Sequence, residues 1–311
     1  MPAPSISVCV CTFRRPESLR QLIARLAAQA PPAIGEVVVV DDDPQGSARA
    51  AAVAMPPLAI RYEHLGANNI SLARNRSVAV ARGDWIGFLD DDELPGPDWL
   101  AQLWSAAERG RADAVLGPVV AQFPPDAPRW IRDGGFLRRR RFATGTPVPR
   151  PEFRIGNALV RRSLLLRIEG PFDPALGQSG GEDGDMLCRA ADLGARIVWC
   201  DEAAVAEPVP PARLTRDWLL RRAWRGGNDY ARHLLAGRYG PVRPHTAPLL
   251  ALRALAQGAL ARVLALLSLP LGPGRSVYWL GRAHAQAGKL AALRGLRSAD
   301  YAGTGGAESP R

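Results

Sequence analysis

"EVVVVDDDP", residues 36–44, sets four consecutive valines ahead of three aspartates. A β-branched run without polar alternation reads as a strand covered on both faces, the habit of a parallel sheet flanked by helices. The pattern returns in "DWIGFLDDDE" (84–93), where an apolar run ends in Asp90, Asp91, Asp92 and Glu93. Upstream, "SISVCVCTF" (5–13) is a third β-type run, and "ADAVLGPVV" (112–120) is a fourth. Between them "PESLRQLIARLAAQ" (16–29) carries Leu19, Leu22, Ile23 and Leu26 at helical spacing, with Pro16 suited to a first turn. "SLARNRSVAVARG" (71–83) and "PDWLAQLWSAAERG" (97–110) also read as helices. Alternation of such elements predicts an α/β fold around a mostly parallel sheet.

The regular pattern lapses from Gln122 to Pro151, which holds six prolines and the run Arg138–Arg141. It reads as a long surface loop. The arginine run reads first as a solvated basic loop and second as a clamp for an acceptor pyrophosphate. A helix is expected near Asp183–Leu193 and a strand near Arg196–Cys200. We place a boundary near Pro208–Pro211, giving a domain over 1–210, a helical basic region over 211–300 and a disordered tail over 301–311.

Charge separates these parts. The net charge is +10, yet residues 208–311 hold 15 Arg and one Lys against four acids. A basic region of this kind suits nucleic acid, an anionic membrane or a phosphate-rich ligand. "APLLALRALAQGALARVLALLSLPLG" (247–272) is apolar but interrupted. Arg253 and Arg262 are nine residues apart, about 180° around a helix, which excludes a single clean amphipathic face unless Gly258 breaks the helix. Helices resting on the inner leaflet are expected, the alternative being a bundle packed on the domain. Cys9, Cys11, Cys188 and Cys200 show no C-x-x-C spacing, so reduced thiols in a cytoplasmic protein are expected rather than a metal site.

Carboxylates gather at Asp41–Asp43, at Asp90–Glu93, and at Glu182, Asp183 and Asp185 after "GQSGG". Ligands of open α/β sheets bind beyond the carboxyl ends of the strands, so the first two clusters should share one rim. A hard divalent cation, Mn²⁺ or Mg²⁺, gives such a site its reason. It cancels the repulsion of the acids and draws in a polyphosphate. The chain has no G-x-x-x-x-G-K-[ST] loop, no G-x-G-x-x-G after a strand and no H-E-x-x-H. P-loop nucleotidases, dehydrogenases and zincins are therefore disfavoured.

"VCVCTFRRPESL", "VVVVDDDP", "ARNRSVAVARGDWIGFLDDDE", "GNALVRRS" and "GGEDGDMLCRA", in this order, resemble a family 2 glycosyltransferase of the GT-A fold over about residues 5–205. The segment 180–227 further resembles the succinoglycan glucosyltransferase-like subgroup of bacterial polysaccharide enzymes. The resemblance implies roles. Thr12, Phe13 and Arg14 would lie by the nucleotide base, Asp42 would accept its N–H with Asp41 beside it, and Arg74 would lie near the diphosphate. Asp90–Asp92 would be the D-x-D motif, with Asp92 and Asp90 toward the metal and Asp91 toward the donor's sugar or ribose. Asp183 would be the catalytic base, with Glu182 and Trp224 as acceptor-side or supporting residues.

Such families often carry Pro-Thr-Tyr-Asn where this chain has Cys11-Thr12-Phe13-Arg14. No Q-x-x-R-W motif is present, "RRAWRGG" (221–227) only sitting in the comparable region, so single-sugar addition is expected. The expected activity is an inverting, metal-dependent transfer from a nucleotide-sugar, a UDP-sugar, to a saccharide or lipid-linked acceptor in surface polysaccharide assembly. The expected location is cytoplasmic, peripheral at the inner membrane face. The alternatives are a nucleotidyltransferase acting on a sugar phosphate, whose usual glycine- and lysine-rich loop is not seen, and a basic nucleic-acid-binding protein. The acids at strand ends oppose the latter, and no nucleic-acid partner is expected.

Overall fold

The computed structural model describes residues 5–53 and 55–297. The tail expected at 301–311 lies outside them. The described residues divide into two compact units, one made of those up to Val120 with Arg139–Glu207, the other of Ala121–Arg138 with 208–297.

The elements of the chain are β1 (Ile6–Thr12), α1 (Pro16–Ala27), β2 (Glu36–Asp41), β3 (Ile60–His64), α2 (Ile70–Val80), β4 (Trp85–Asp90), β5 (Leu94–Pro95), α3 (Trp99–Gly110), β6 (Ala114–Leu116), β7 (Val119–Gln122) and α4 (Arg129–Arg132). There follow β8 (Asn157–Arg161), α5 (Arg162–Leu166), α6 (Glu182–Asp192), β9 (Ile197–Trp199), β10 (Val205–Pro208), α7 (Arg216–Leu235), α8 (Thr246–Leu267) and α9 (Pro273–Leu293).

The first unit is built on a seven-stranded sheet in the order β3-β2-β1-β4-β8-β6-β9. β3, β2, β1 and β4 run parallel, and β8 enters antiparallel between β4 and β6. Val37–Val40 are fully buried, as a strand with both faces covered requires. Leu19, Leu22, Ile23 and Leu26 are the buried face of α1, and Trp99, Leu100 and Leu103 belong to that of α3. All four cysteines are free.

Two sequence expectations need correction. The run 112–120 is not one strand: it breaks at Gly117-Pro118 into β6 and β7, and β7 joins a separate sheet ordered β5-β10-β7. Nor is 122–151 simply a surface loop. Ile131 of α4 is fully buried in a cluster with Leu219, Leu220 and Val277, flanked by Trp130 and Phe136. The prolines interrupt regular structure there without forcing the apolar residues between them into solvent.

In the second unit α9 packs against both α7 and α8. Glycines make the close approach possible. A Cβ on Gly227 of α7 would meet the Ala285 carbonyl of α9, and one on Gly288 of α9 would meet the Trp224 carbonyl of α7.

Candidate active site

Strand register decides what meets at the rim. Thr12 pairs with Asp41 across β1 and β2, and Cys11 pairs with Asp90 across β1 and β4. The first two acidic clusters therefore leave the sheet at one edge, beside the end of β1.

At the end of β2 the carboxylates hold loops. Asp41 is fully buried and accepts hydrogen bonds from the amides of Asp43 (3.1 Å) and Ala48 (2.8 Å) and from the Tyr62 hydroxyl (2.9 Å). Asp42 accepts from the amides of Ala67 (2.9 Å) and Asn69 (2.5 Å). Burial raises the Asp42 pKa, and these amides oppose the rise. Arg14 lies in the left-handed region (φ 55°), pairs with Asp43 at 3.1 Å and stacks on Phe13.

At the end of β4 the four acids have different partners. Glu93 turns inward and accepts from the Asp90 amide at 3.0 Å, closing the turn. A Cβ built on Gly156 would stand 2.7 Å from Glu93 Oε1 and 3.1 Å from Asp90 Oδ2, so this position leaves no room for a side chain. Asp91 is buried between the Thr12 hydroxyl (2.7 Å) and Arg15 (3.1 Å). Burial pushes the Asp91 carboxyl up to about 7, against the pull of Arg15. Arg15 also pairs with Asp92 at 2.8 Å. Asp90 is the most open of the four, its side chain 48% exposed.

The third cluster is reached through one buried arginine. Arg74 of α2 donates to Asp90 at 3.1 Å and forms an ion pair with Glu182, the first residue of α6. Burial would lower the Arg74 pKa, but Glu182 and Asp90 overcome it and raise the guanidinium further above its already high value. For Glu182, burial raises the pKa and Arg74 opposes. Removing one member of such a buried set leaves the others uncompensated.

α6 starts from Gly180 and Gly181, both at positive φ (81° and 93°), where a side chain would be strained. Asp183 is half-buried beside Glu182, and one of its oxygens accepts the Gly184 amide at 2.7 Å. The segment leading to α6 is tied to α2 and its cap: Asn75 exchanges two hydrogen bonds with the Phe172 backbone, and the Asn69 side chain donates to the Pro174 carbonyl.

Beside Gly156 a narrow cleft of about 30 Å³ is lined by Arg139, Arg140, Glu152, Arg154, Asn157 and Trp199. Of the basic run, Arg141 is taken up by a two-point pair with Asp201, and Arg139 lies 3.6 Å from Glu207.

Of the sequence candidates, Thr12, Phe13, Arg14, Asp41, Asp42, Arg74, Asp90–Asp92, Glu182 and Asp183 all belong to this unit, whereas Trp224 lies on α7 of the other. Arg15 was not among them. "TFRRPE" offers two adjacent arginines, and nothing in it says that the second meets Asp91 and Asp92.

The donor set is hard oxygen, suited to Mg²⁺ or Mn²⁺. Among the described residues no three Asp, Glu, His or Cys side chains converge as a metal cage. Two carboxylates, the half-exposed Asp90 and the neighbouring Asp92, fit a cation held mainly by substrate phosphates.

Residues 7–168 match the profile of glycosyl transferase family 2. The chain is 37% identical, over 96% of each sequence, to the succinoglycan biosynthesis protein ExoM of Rhizobium meliloti (strain 1021). Among solved structures it resembles the mannosyltransferase PcManGT of Pyrobaculum calidifontis in complex with GDP-Man and Mn²⁺, with a TM-score of 0.63 at 21% identity, covering 94% of this chain and 87% of that one. It also resembles S. aureus TarS 1–349 in complex with UDP-GlcNAc, with a TM-score of 0.52 at 18% identity and coverage of 94% and 92%. At such identities the two structures speak for the fold.

Proposed function

The chain belongs to glycosyl transferase family 2 and has the GT-A fold, and from that premise we propose that it is an inverting, divalent-metal-dependent hexosyltransferase. Its donor is a nucleotide-sugar, a UDP-sugar. Its acceptor is a saccharide or lipid-linked saccharide of surface polysaccharide assembly, the setting its relative's name indicates. It works in the cytoplasm, peripherally at the inner face of the cell membrane.

The observation that carries this reading is the Arg74 bridge. It ties the acids at the end of β4 to the start of α6, so that a donor-holding cluster and a separate carboxylate base share one edge. Mn²⁺ or Mg²⁺, held by Asp92 and Asp90 with the donor's phosphates, would supply positive charge to the departing diphosphate.

The chain's own groups do the rest. Thr12, Phe13 and Arg14 flank the base, Asp42 accepts its N–H, and Asp41 fixes the loop that presents Asp42. Asp91 faces the ribose or sugar. Arg74 adds a fixed cation near the diphosphate. Asp183 takes the proton of the acceptor hydroxyl as that oxygen bonds to the anomeric carbon. The bond from that carbon to the diphosphate oxygen breaks, and its electron pair leaves with the diphosphate. Attack opposite the leaving group inverts the centre. Glu182 holds Arg74, and the basic run Arg138–Arg141 would meet the pyrophosphate of a lipid-linked acceptor.

Asp183→Asn is expected to reduce transfer about a thousandfold, the scale of a lost general base. Donor affinity by titration calorimetry should stay at the parent value. Turnover near the parent's would remove Asp183 from this role.

A further inference from the structure

α8 runs unbroken through Gly258 and has two apolar faces, not one. Ala254, Gly258, Ala261 and Ala265 are buried along one side, and α8 packs on α9, where Gly258 lies against Gln286. Small residues let that side approach its neighbour. Leu252, Leu255, Val263 and Leu266 lie on the opposite arc at 100° per residue and are 52–66% exposed. The apolar row continues into Leu269 and Leu271, also exposed. Exposed apolar surface of this extent marks a place of contact.

Arg253 and Arg262 stand about 180° apart on the helix wheel. The sequence reading took that spacing to exclude a single clean amphipathic face unless Gly258 breaks the helix, and the helix is unbroken. On the folded helix the two arginines instead fall at the two borders of the exposed arc, one on each side. There each aliphatic stem can lie along apolar surface while the guanidinium stays in a polar layer.

From Tyr230 to Ala299 the sequence has nine arginines and Lys289 and not one Asp or Glu. A second copy of this face would set arginine against arginine with no acid on α8 to meet them. An anionic lipid surface answers both the leucines and the arginines. By length and composition α8 could cross a membrane. Yet one side is already buried against protein, and a spanning pose would carry Arg262 into hydrocarbon.

We infer that the outer face of α8 is a docking surface for an anionic bilayer, lying in the headgroup layer with Arg253 and Arg262 at its edges. The inference rests on the proposed peripheral location and names the element that provides it.

Cosedimentation of the full chain with phosphatidylglycerol–phosphatidylcholine vesicles, against phosphatidylcholine alone, tests it. The parent should bind the anionic vesicles and be released by alkaline carbonate. Leu255→Glu/Leu266→Glu should weaken binding at least about a hundredfold. Arg253→Gln/Arg262→Gln should weaken it about thirtyfold, on anionic vesicles only. Melting temperature and UDP-sugar binding, read on the same samples, should stay unchanged. Undiminished vesicle binding by the leucine variant overturns the inference. So does resistance to carbonate, or a dimer that the leucine variant dissolves while the parent ignores vesicles. Loss of sugar-nucleotide binding in parent and variants alike would instead count against the proposed chemistry and leave the docking result standing.

Discussion

Arginine serves opposite ends in the two units. At the rim of the sheet Arg14, Arg15 and Arg74 each meet a carboxylate, and Arg74 is buried doing so. In the helical unit α8 carries two exposed arginines and no acid at all. The first arrangement fixes geometry, because a buried cation among acids has few alternatives that satisfy them. The second leaves charge free to act outward. Folding and function therefore fail together in the first unit and separately in the second.

Four changes press on that contrast. Arg74→Met should have the largest effect, about 3–5 kcal/mol of stability, because the buried Glu182 carboxyl loses the cation that compensates it. Chemical denaturation would measure it, and adding Glu182→Gln should recover part of the loss; simple additivity of the two would deny the coupling. Gly288→Ala should cost about 1–3 kcal/mol by forcing a Cβ toward the Trp224 carbonyl. Calorimetry should show the helical unit weakened, with UDP-sugar affinity kept.

The third change is in pH. The buried carboxyls Asp91, Glu93 and Glu182 all have raised pKa values, so the folded chain holds protons that the unfolded chain has released. Stability without added cation should thus fall as pH rises from about 4 to about 7, by at most about 1.4 kcal/mol per pH unit per group. Asp91→Asn should flatten that slope in a series of melting curves. The smallest effect belongs to Arg253→Gln/Arg262→Gln, within about 0.5 kcal/mol of the parent, as for surface positions elsewhere. A large loss there would erase the difference between the units.

The sequence reading reached the sheet because Val37–Val40 and Trp85–Leu89 have no polar alternation, and buried strands alone tolerate that. It placed the first two acidic clusters on one rim because strand ends in such sheets face one way. It did not reach the antiparallel entry of β8, since an apolar run carries no sign of direction. It passed over Arg15, because the choice between two adjacent arginines depends on how the chain leaves β1. For α8 it excluded a single clean amphipathic face, but it did not foresee that small residues would be buried on one side with leucines exposed on the other, because only the packing against α9 separates the two.

The helical unit is assembled from two stretches far apart in the chain, Ala121–Arg138 and the residues after 208. During synthesis Trp130, Ile131 and Phe136 emerge long before Leu219 and Val277, the residues that cover them. At elongation speeds of up to about 20 residues per second, they wait on the order of seconds with apolar side chains in water. The ribosome-bound intermediate is thus the stage at which this protein is most open to aggregation. Chaperone demand should centre on a short segment that in the finished molecule is tucked away.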